Sequence, residues 1–213
     1  MKIALIGATG FVGSKLLDEA LQRGHEVTAI VRHPEKLSSS PALTPKAADV
    51  YDPAQVAAAV ADHDVVLSAF NPGWSEPDIQ NLHVKGSRAI VEGAKSAGIP
   101  RLVVIGGAGS LLVAPGVQLI DTPQFPAEWK AGALGARQAL DELREEKTLD
   151  WTFVSPPALL EPGERTGKYR LGGDELLMDG DHPARISVDD FAVAVLDEVE
   201  RPRHSRRRFT VAN

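Results

Sequence analysis

A chain of 213 residues, 43% of them hydrophobic and 24% charged, can bury a substantial core and is expected to fold as one domain over residues 1–213. It contains no cysteine, which excludes disulfides, zinc–thiolate centres and cysteine nucleophiles. Its formal charge of −6 speaks against general nucleic-acid affinity, and the arginines Arg201, Arg203 and Arg206–Arg208 are expected to form a solvated face beside a last strand.

The first element is an apolar run, Ile3 to Ile6, that breaks into Gly7, Gly10 and Gly13. A strand, a tight turn and a helix start take this form when they hold a pyrophosphate. Gly7 permits the turn, Gly10 lets the backbone approach the phosphates, and Gly13 lets the helix pack on the strand. The first-turn amides and the positive end of the helix dipole then face the phosphate charge. The helix opened here runs from Phe11 to Gln22, with Val12, Leu16, Leu17, Ala20 and Leu21 on its apolar face and Arg23-Gly24 closing it.

A second strand, Glu26 to Val31, ends on Arg32-His33 with no carboxylate before Glu35. An acid at that place would accept the ribose hydroxyls and repel a 2'-phosphate, whereas Arg32 can pair with one. NADP is therefore the expected cofactor, with Lys36 a possible second cation.

Next come a short strand near Thr44 to Ala48, a helix over Val56 to Val60 and a strand from Asp64 to Ala69 that breaks at Asn71-Pro72-Gly73. A helix from about Pro77 to Ser96, a buried strand from Arg101 to Ile105, a helix over roughly Pro126 to Lys147 and a strand from Trp151 to Ser155 continue the alternation. Strands and helices alternating with short links predict an α/β fold, a doubly wound parallel sheet covered on both faces.

After Pro156-Pro157 the text changes. Glycines and short polar segments suggest hairpin strands at Lys168 to Leu171 and Glu175 to Met178, in a small substrate-side lid over residues 157–185. A last helix begins at Ser187-Val188-Asp189-Asp190, with Ser187 as cap and Asp190 as the return arm of a capping-box variant. Arg208 to Val211 would form the final strand.

No apolar run approaches a membrane span, and the opening strand carries no signal-like pattern, so a cytoplasmic monomer or homodimer acting on a small-molecule substrate is expected. No metal site is predicted. His25, His63 and His83 lack ligand spacing and are expected at helix ends or surfaces.

These residues resemble the atypical short-chain dehydrogenase/reductases with an NmrA-like NAD(P)-binding fold, in the branch of the flavin reductases. The motifs are G-A-T-G-F-V-G at 7–13, V-R-H-P-E-K-L at 31–37, A-D-V at 48–50, N-L-H-V-K-G at 81–86, V-V-I-G-G-A-G-S at 103–110, V-S-P-P at 154–157 and I-S-V-D-D-F at 186–191. The resemblance spans nearly the whole chain and implies a Rossmann-like fold. It also implies that Thr9, Phe11 and Val12 line the pyrophosphate, that Arg32 meets the adenosine phosphate and that Asp49 and Val50 flank adenine. Ala69 and Phe70 would lie along the cofactor ribose, with Ser110 and Pro156 near nicotinamide.

The chain departs from the wider family in lacking its Tyr-x-x-x-Lys acid/base pair. Its two tyrosines, Tyr51 and Tyr169, have no lysine four residues on. Ser110 and Lys130 are the remaining candidate catalytic groups, Ser110 equally readable as a loop cap and Lys130 as an exposed helix lysine. Trp74, Trp129 and Phe125 could form stacking walls. Without a positioned proton donor, a flavin or quinone is a better hydride acceptor than a simple ketone. A non-catalytic NADP-binding redox sensor and an NAD-dependent epimerase or dehydratase stand as alternatives.

Overall fold

Ile3, Ala4, Leu5 and Ile6 are each at most 1% exposed, which a strand achieves only when both faces of its sheet are covered. These residues form β1 (Lys2–Ile6), near the middle of an eight-stranded sheet in the computed structural model, which describes residues 1–37 and 39–213.

β1 is followed by α1 (Phe11–Gln22), β2 (Glu26–Val31), β3 (Leu43–Ala47), α2 (Pro53–Val60), β4 (Val65–Ser68), α3 (Ile79–Ser96) and β5 (Arg101–Ile105). A small hairpin of β6 (Leu112–Ala114) and β7 (Val117–Gln118) leads into α4 (Ala127–Glu145) and β8 (Asp150–Ser155). Then come β9 (Leu159–Glu161), β10 (Arg170–Gly172), β11 (Met178–Asp179), β12 (His182–Pro183) and β13 (Arg185–Ser187). The chain closes with α5 (Val188–Glu200) and β14 (Arg207–Ala212).

Across the sheet the order is β3-β2-β1-β4-β5-β8-β14-β10, all parallel except β10 at the edge. The chain works outward from β1 to β3 and then returns to β4 on the other side of β1. That reversal opens a crevice at the carboxyl ends of β1 and β4, where ligands bind in sheets of this kind.

Successive residues of β1 serve opposite faces. Ile3 and Leu5 join Leu16 and Leu17 of α1 and Phe191 and Val195 of α5, while Ala4 and Ile6 join Val56 and Val60 of α2 and Ile90 and Ala94 of α3. α4 covers Trp151 and Phe153 through Leu140 and Leu143. The doubly wound parallel sheet expected from the sequence is therefore the fold.

Three local expectations change. Lys168–Leu171 and Glu175–Met178 do not pair with each other. Arg170–Gly172 extends the main sheet against β14, whose outer ladder would otherwise stay open. Met178–Asp179 instead pairs with His182–Pro183 across a two-residue turn in which Gly180 takes a φ of 58°. The segment is further tied down because β9 lies parallel to β13.

Ser187 caps α5 as expected, its hydroxyl accepting from the Asp190 N–H at 3.0 Å. Asp190, however, is no capping-box arm. Its buried carboxylate accepts from the Thr166 and Gly167 N–H groups, each at 2.7 Å, from the Thr166 hydroxyl at 2.6 Å and from Asn213 Nδ2 at 3.2 Å. These donors come from the distant 157–185 segment and the last residue. The basic run also splits, because Arg208 is buried on β14 whereas Arg201, Arg203, Arg206 and Arg207 are exposed.

Candidate dinucleotide site

The loop after β1 is shaped by backbone contacts. Gly7 holds a φ of 82°, its N–H donates to Ile30 of β2, and a Cβ there would lie 2.6 Å from the Ala69 carbonyl oxygen beyond β4. The turn is thus clamped between the ends of β2 and β4. Gly13 is tighter still, since a Cβ would fall 2.0 Å from the Gly7 carbonyl oxygen. Gly10 differs, being exposed with only that same oxygen nearby, at 3.4 Å.

Gly10 is also the N-cap of α1, and among the described residues no side chain caps this helix. The first-turn amides of a twelve-residue helix are left facing the crevice with the positive end of its dipole. Such a bare, glycine-lined cradle suits a pyrophosphate.

Most of the sequence-predicted residues lie on the loops that follow the strands, and Ala69 and Phe70 come up against Gly7 itself. Thr9, Gly10 and Phe11 are exposed and Val12 is half-buried at the loop. Arg32 is exposed just past β2, and Asp49 and Val50 follow β3, with the Asp49 carboxylate accepting from the Tyr51 N–H at 2.9 Å. Ala69 and Phe70 follow β4 and Pro156 follows β8, all half-buried at the same edge of the sheet. Lys130 is exposed on the first turn of α4. Ser110 is buried, and its hydroxyl accepts from the Arg208 guanidinium at 3.3 Å.

Trp74 is 62% exposed yet seated, because a Cβ on Gly132 of α4 would meet its ring at 2.7 Å. Trp129 is exposed three residues earlier on α4, and Phe125 is half-buried.

Sequence reasoning missed the packing behind Phe70. The edge of Tyr51 meets the Phe70 ring with centroids 5.9 Å apart, and Lys85 sits 5.4 Å above the Tyr51 ring. Gly86 lies flat against Phe70, where a Cβ would come within 2.4 Å. His83 packs against the same ring, its own centroid 5.9 Å from that of Phe70. Gly135 of α4 closes over His83, leaving 2.8 Å for any Cβ. The usable signal was the presence of glycines inside helical stretches, where only close packing excuses their cost.

The histidine expectation needs correcting. His83 is 6% exposed, and His25 is buried with Nε2 2.9 Å from Glu200. His63 is half-buried against Thr28, 2.8 Å from its hydroxyl. Burial pushes the His83 pKa down to about 4. The unfolded chain therefore takes up this proton first as pH falls, so stability is complete above about pH 6.5 and declines toward the folded value. We expect a loss of about 2 kcal/mol by about pH 5 from this group. Urea melts across that range should show the decline in the parent protein and a flatter profile in His83→Gln, and equal slopes would refute the assignment.

The fold and the uncapped glycine loop at its switch point define a class: a Rossmann-like α/β protein with a dinucleotide cradle. The chain belongs to the NAD(P)H-binding family, whose model matches residues 7–199. The uncharacterized Bacillus subtilis protein YwnB is 42% identical, covering 100% of this chain and 99% of its own. A Bacteroides thetaiotaomicron structure provisionally described as an epimerase is 46% identical, with a TM-score of 0.93 over 99% of this chain and 96% of that one. A Streptococcus pneumoniae structure provisionally described as an NADH-flavin reductase is 36% identical, with a TM-score of 0.88 over 100% of this chain and 99% of that one. The kinship expected from the motifs holds, and the family is oxidoreductase-like. Among the described residues, no helix is long and apolar enough to cross a membrane.

Proposed function

We propose that this protein is an NADPH-dependent reductase of a conjugated small molecule, a flavin or a quinone. The observation that carries the reading is the uncapped start of α1, together with the exposed Arg32 just past the neighbouring strand β2. In this reading Gly7, Gly10 and Gly13 shape the cradle, and the backbone at Thr9, Phe11 and Val12 lines the pyrophosphate. Arg32 takes the 2'-phosphate by charge-assisted hydrogen bonds, which Lys cannot match in geometry. Asp49 and Val50 flank adenine, Ala69 and Phe70 the ribose, and Pro156 the nicotinamide side.

The bound cofactor supplies a hydride, and the protein supplies position and exclusion of water. The proton side of the reaction decides the acceptor. Tyr169 donates its hydroxyl to Asp197 and is pushed up to about 12, chiefly by burial. Burial also raises Tyr51, with the Arg32 charge acting against it. Neither resembles a tyrosine whose pKa a neighbouring lysine lowers. A simple ketone would forgo about 10²–10⁴ in rate without such an acid. A flavin or quinone spreads the arriving charge over its rings and takes its proton from solvent. Lys130, being exposed, can meet an acceptor directly. Ser110 can do so only by leaving Arg208.

The test is to mix the protein with NADPH and FMN or a quinone and follow the nicotinamide absorbance. Turnover supports the reading, and tight NADPH binding without turnover of any acceptor supports a sensor instead. Arg32→Ala is expected to weaken NADPH binding by about tenfold to a hundredfold while leaving NADH nearly unchanged. An unaltered preference would remove the phosphate role from Arg32.

A further inference from the structure

A second concavity lies away from the dinucleotide cradle, at the β14 edge of the sheet. It is a groove of about 650 Å³ lined by Arg144, Trp151, His204, Arg206, Arg207 and Arg208, with Gly172, Gly173 and Asp174 along one side. Arg207 is paired in register with Thr152 near the amino end of β8, whereas the cradle sits at the carboxyl ends of the strands. This space is ample for a small ligand.

The charge balance of the groove is incomplete. Asp174 is bonded to Arg208 Nε at 2.6 Å and to Arg144 at 3.2 Å, so one carboxylate serves two guanidiniums. His204 is held by Glu198, at 2.8 Å. Among the described residues, the Arg206 and Arg207 side chains have no hydrogen-bond or ion-pair partner, in a protein whose net charge is −6. Adjacent unneutralised guanidiniums repel each other, and an anion removes that cost.

A second observation is independent of charge. Trp151, a wall of the groove, is 2% exposed, and its indole Nε1–H has no acceptor among the described residues. That nitrogen is sealed beneath the surface, so the ring borders the groove as an apolar wall and can report on its occupancy by emission. The Trp151 carbonyl is engaged, accepting from the Arg206 N–H at 2.7 Å, which ties the indole residue to the turn that carries Arg206 and leads into Arg207 of β14.

We propose that this groove is a binding site for a phosphate-bearing small molecule, separate from the dinucleotide cradle. Arg206 and Arg207 neutralise its charge, and the Trp151 ring forms part of the wall. Tetrahedral, multiply charged oxyanions suit paired guanidiniums, which can each give two parallel hydrogen bonds. Arg208 joins the groove to the loop after β5, because the guanidinium bonded to Asp174 also donates to Ser110.

Pyrophosphate and inorganic phosphate are the probes, titrated calorimetrically at constant ionic strength set with chloride. Parallel titrations follow tryptophan emission. Arg206→Gln/Arg207→Gln is expected to weaken pyrophosphate binding by about tenfold or more with an unchanged melting profile, because both side chains are exposed. The same titration with the cradle filled by saturating NADPH should be unchanged, which separates the groove from the cradle, and its loss under NADPH would place the pyrophosphate in the cradle. The emission change should vanish in Trp151→Phe. Three results would overturn the proposal: equal affinity in the double variant, no distinction between pyrophosphate and chloride, or binding confined to a DNA duplex.

Discussion

Gly13→Ala is expected to abolish NADPH binding and to lower stability by about 3 kcal/mol, the upper end of what overpacking costs. The added Cβ would lie 2.0 Å from the Gly7 carbonyl oxygen, 2.8 Å from its carbon and 3.2 Å from the Ala8 Cα. All three are backbone atoms of the turn itself, so no rotamer change relieves the clash. α1 must lift away from β1, and the amides of Phe11 and Val12 move with it. Gly10→Ala is the informative partner. Its Cβ meets only one atom, at 3.4 Å, so the fold should be retained within about 0.5 kcal/mol while NADPH affinity falls by about tenfold. Thermal melts and NADPH fluorescence titration check both. A Gly10→Ala protein that binds as the parent does would place the phosphates elsewhere, and a Gly13→Ala protein that melts normally would contradict the packing.

The contrast between these glycines shows why the cradle was readable from the sequence. Its parts lie within thirteen residues, and each glycine has a local reason. α1, β2 and β5 end where their apolar runs and turn signals end, since those limits are set by neighbours in the chain. Residues whose partners come from far away were not readable. Asp190 looked like a cap because its sequence neighbours are Ser187 and the start of α5, yet its acceptors are used by residues 166, 167 and 213. His83 looked like a surface residue because nothing nearby says that Gly135 of α4 will close over it. The edge position of β10 was hidden for the same reason, since strand pairing is decided by which ladder remains open. Motif resemblance reached Phe70, but only the packed structure shows Tyr51, His83 and Gly86 holding its ring.

Long-range ties also set the second large expected effect, the destabilisation by Glu19→Gln of about 2 kcal/mol. Glu19 is on α1, the helix that begins at the cradle, and is 4% exposed. Its carboxylate takes Arg165 in a two-pronged pair at 2.7 and 2.8 Å and Arg23 at 2.7 Å. Arg23 in turn reaches Asp197 and Glu200 of α5. The amide retains the shape and removes the charge, leaving Arg23 to Asp197 and Glu200 alone. Arg165 is partly exposed and recovers hydration, and Arg23 keeps two carboxylates, which holds the loss below the range for a buried charge left unpaired. The hydrogen bond from Arg165 is the main reason the Glu19 carboxyl sits below its ordinary pKa. A depressed carboxylate contributes stability above the unfolded value and loses it as pH falls through the folded one, so the parent should weaken in acid more steeply than Glu19→Gln. Arg165→Gln supplies the discriminating comparison. If Glu19 chiefly fastens residues 157–185 to α1, limited proteolysis should cut that segment faster in both variants. If only Glu19→Gln is destabilised and the segment stays protected, the tie that matters is Arg23 to α5, and the N-terminal helix is held from its far end.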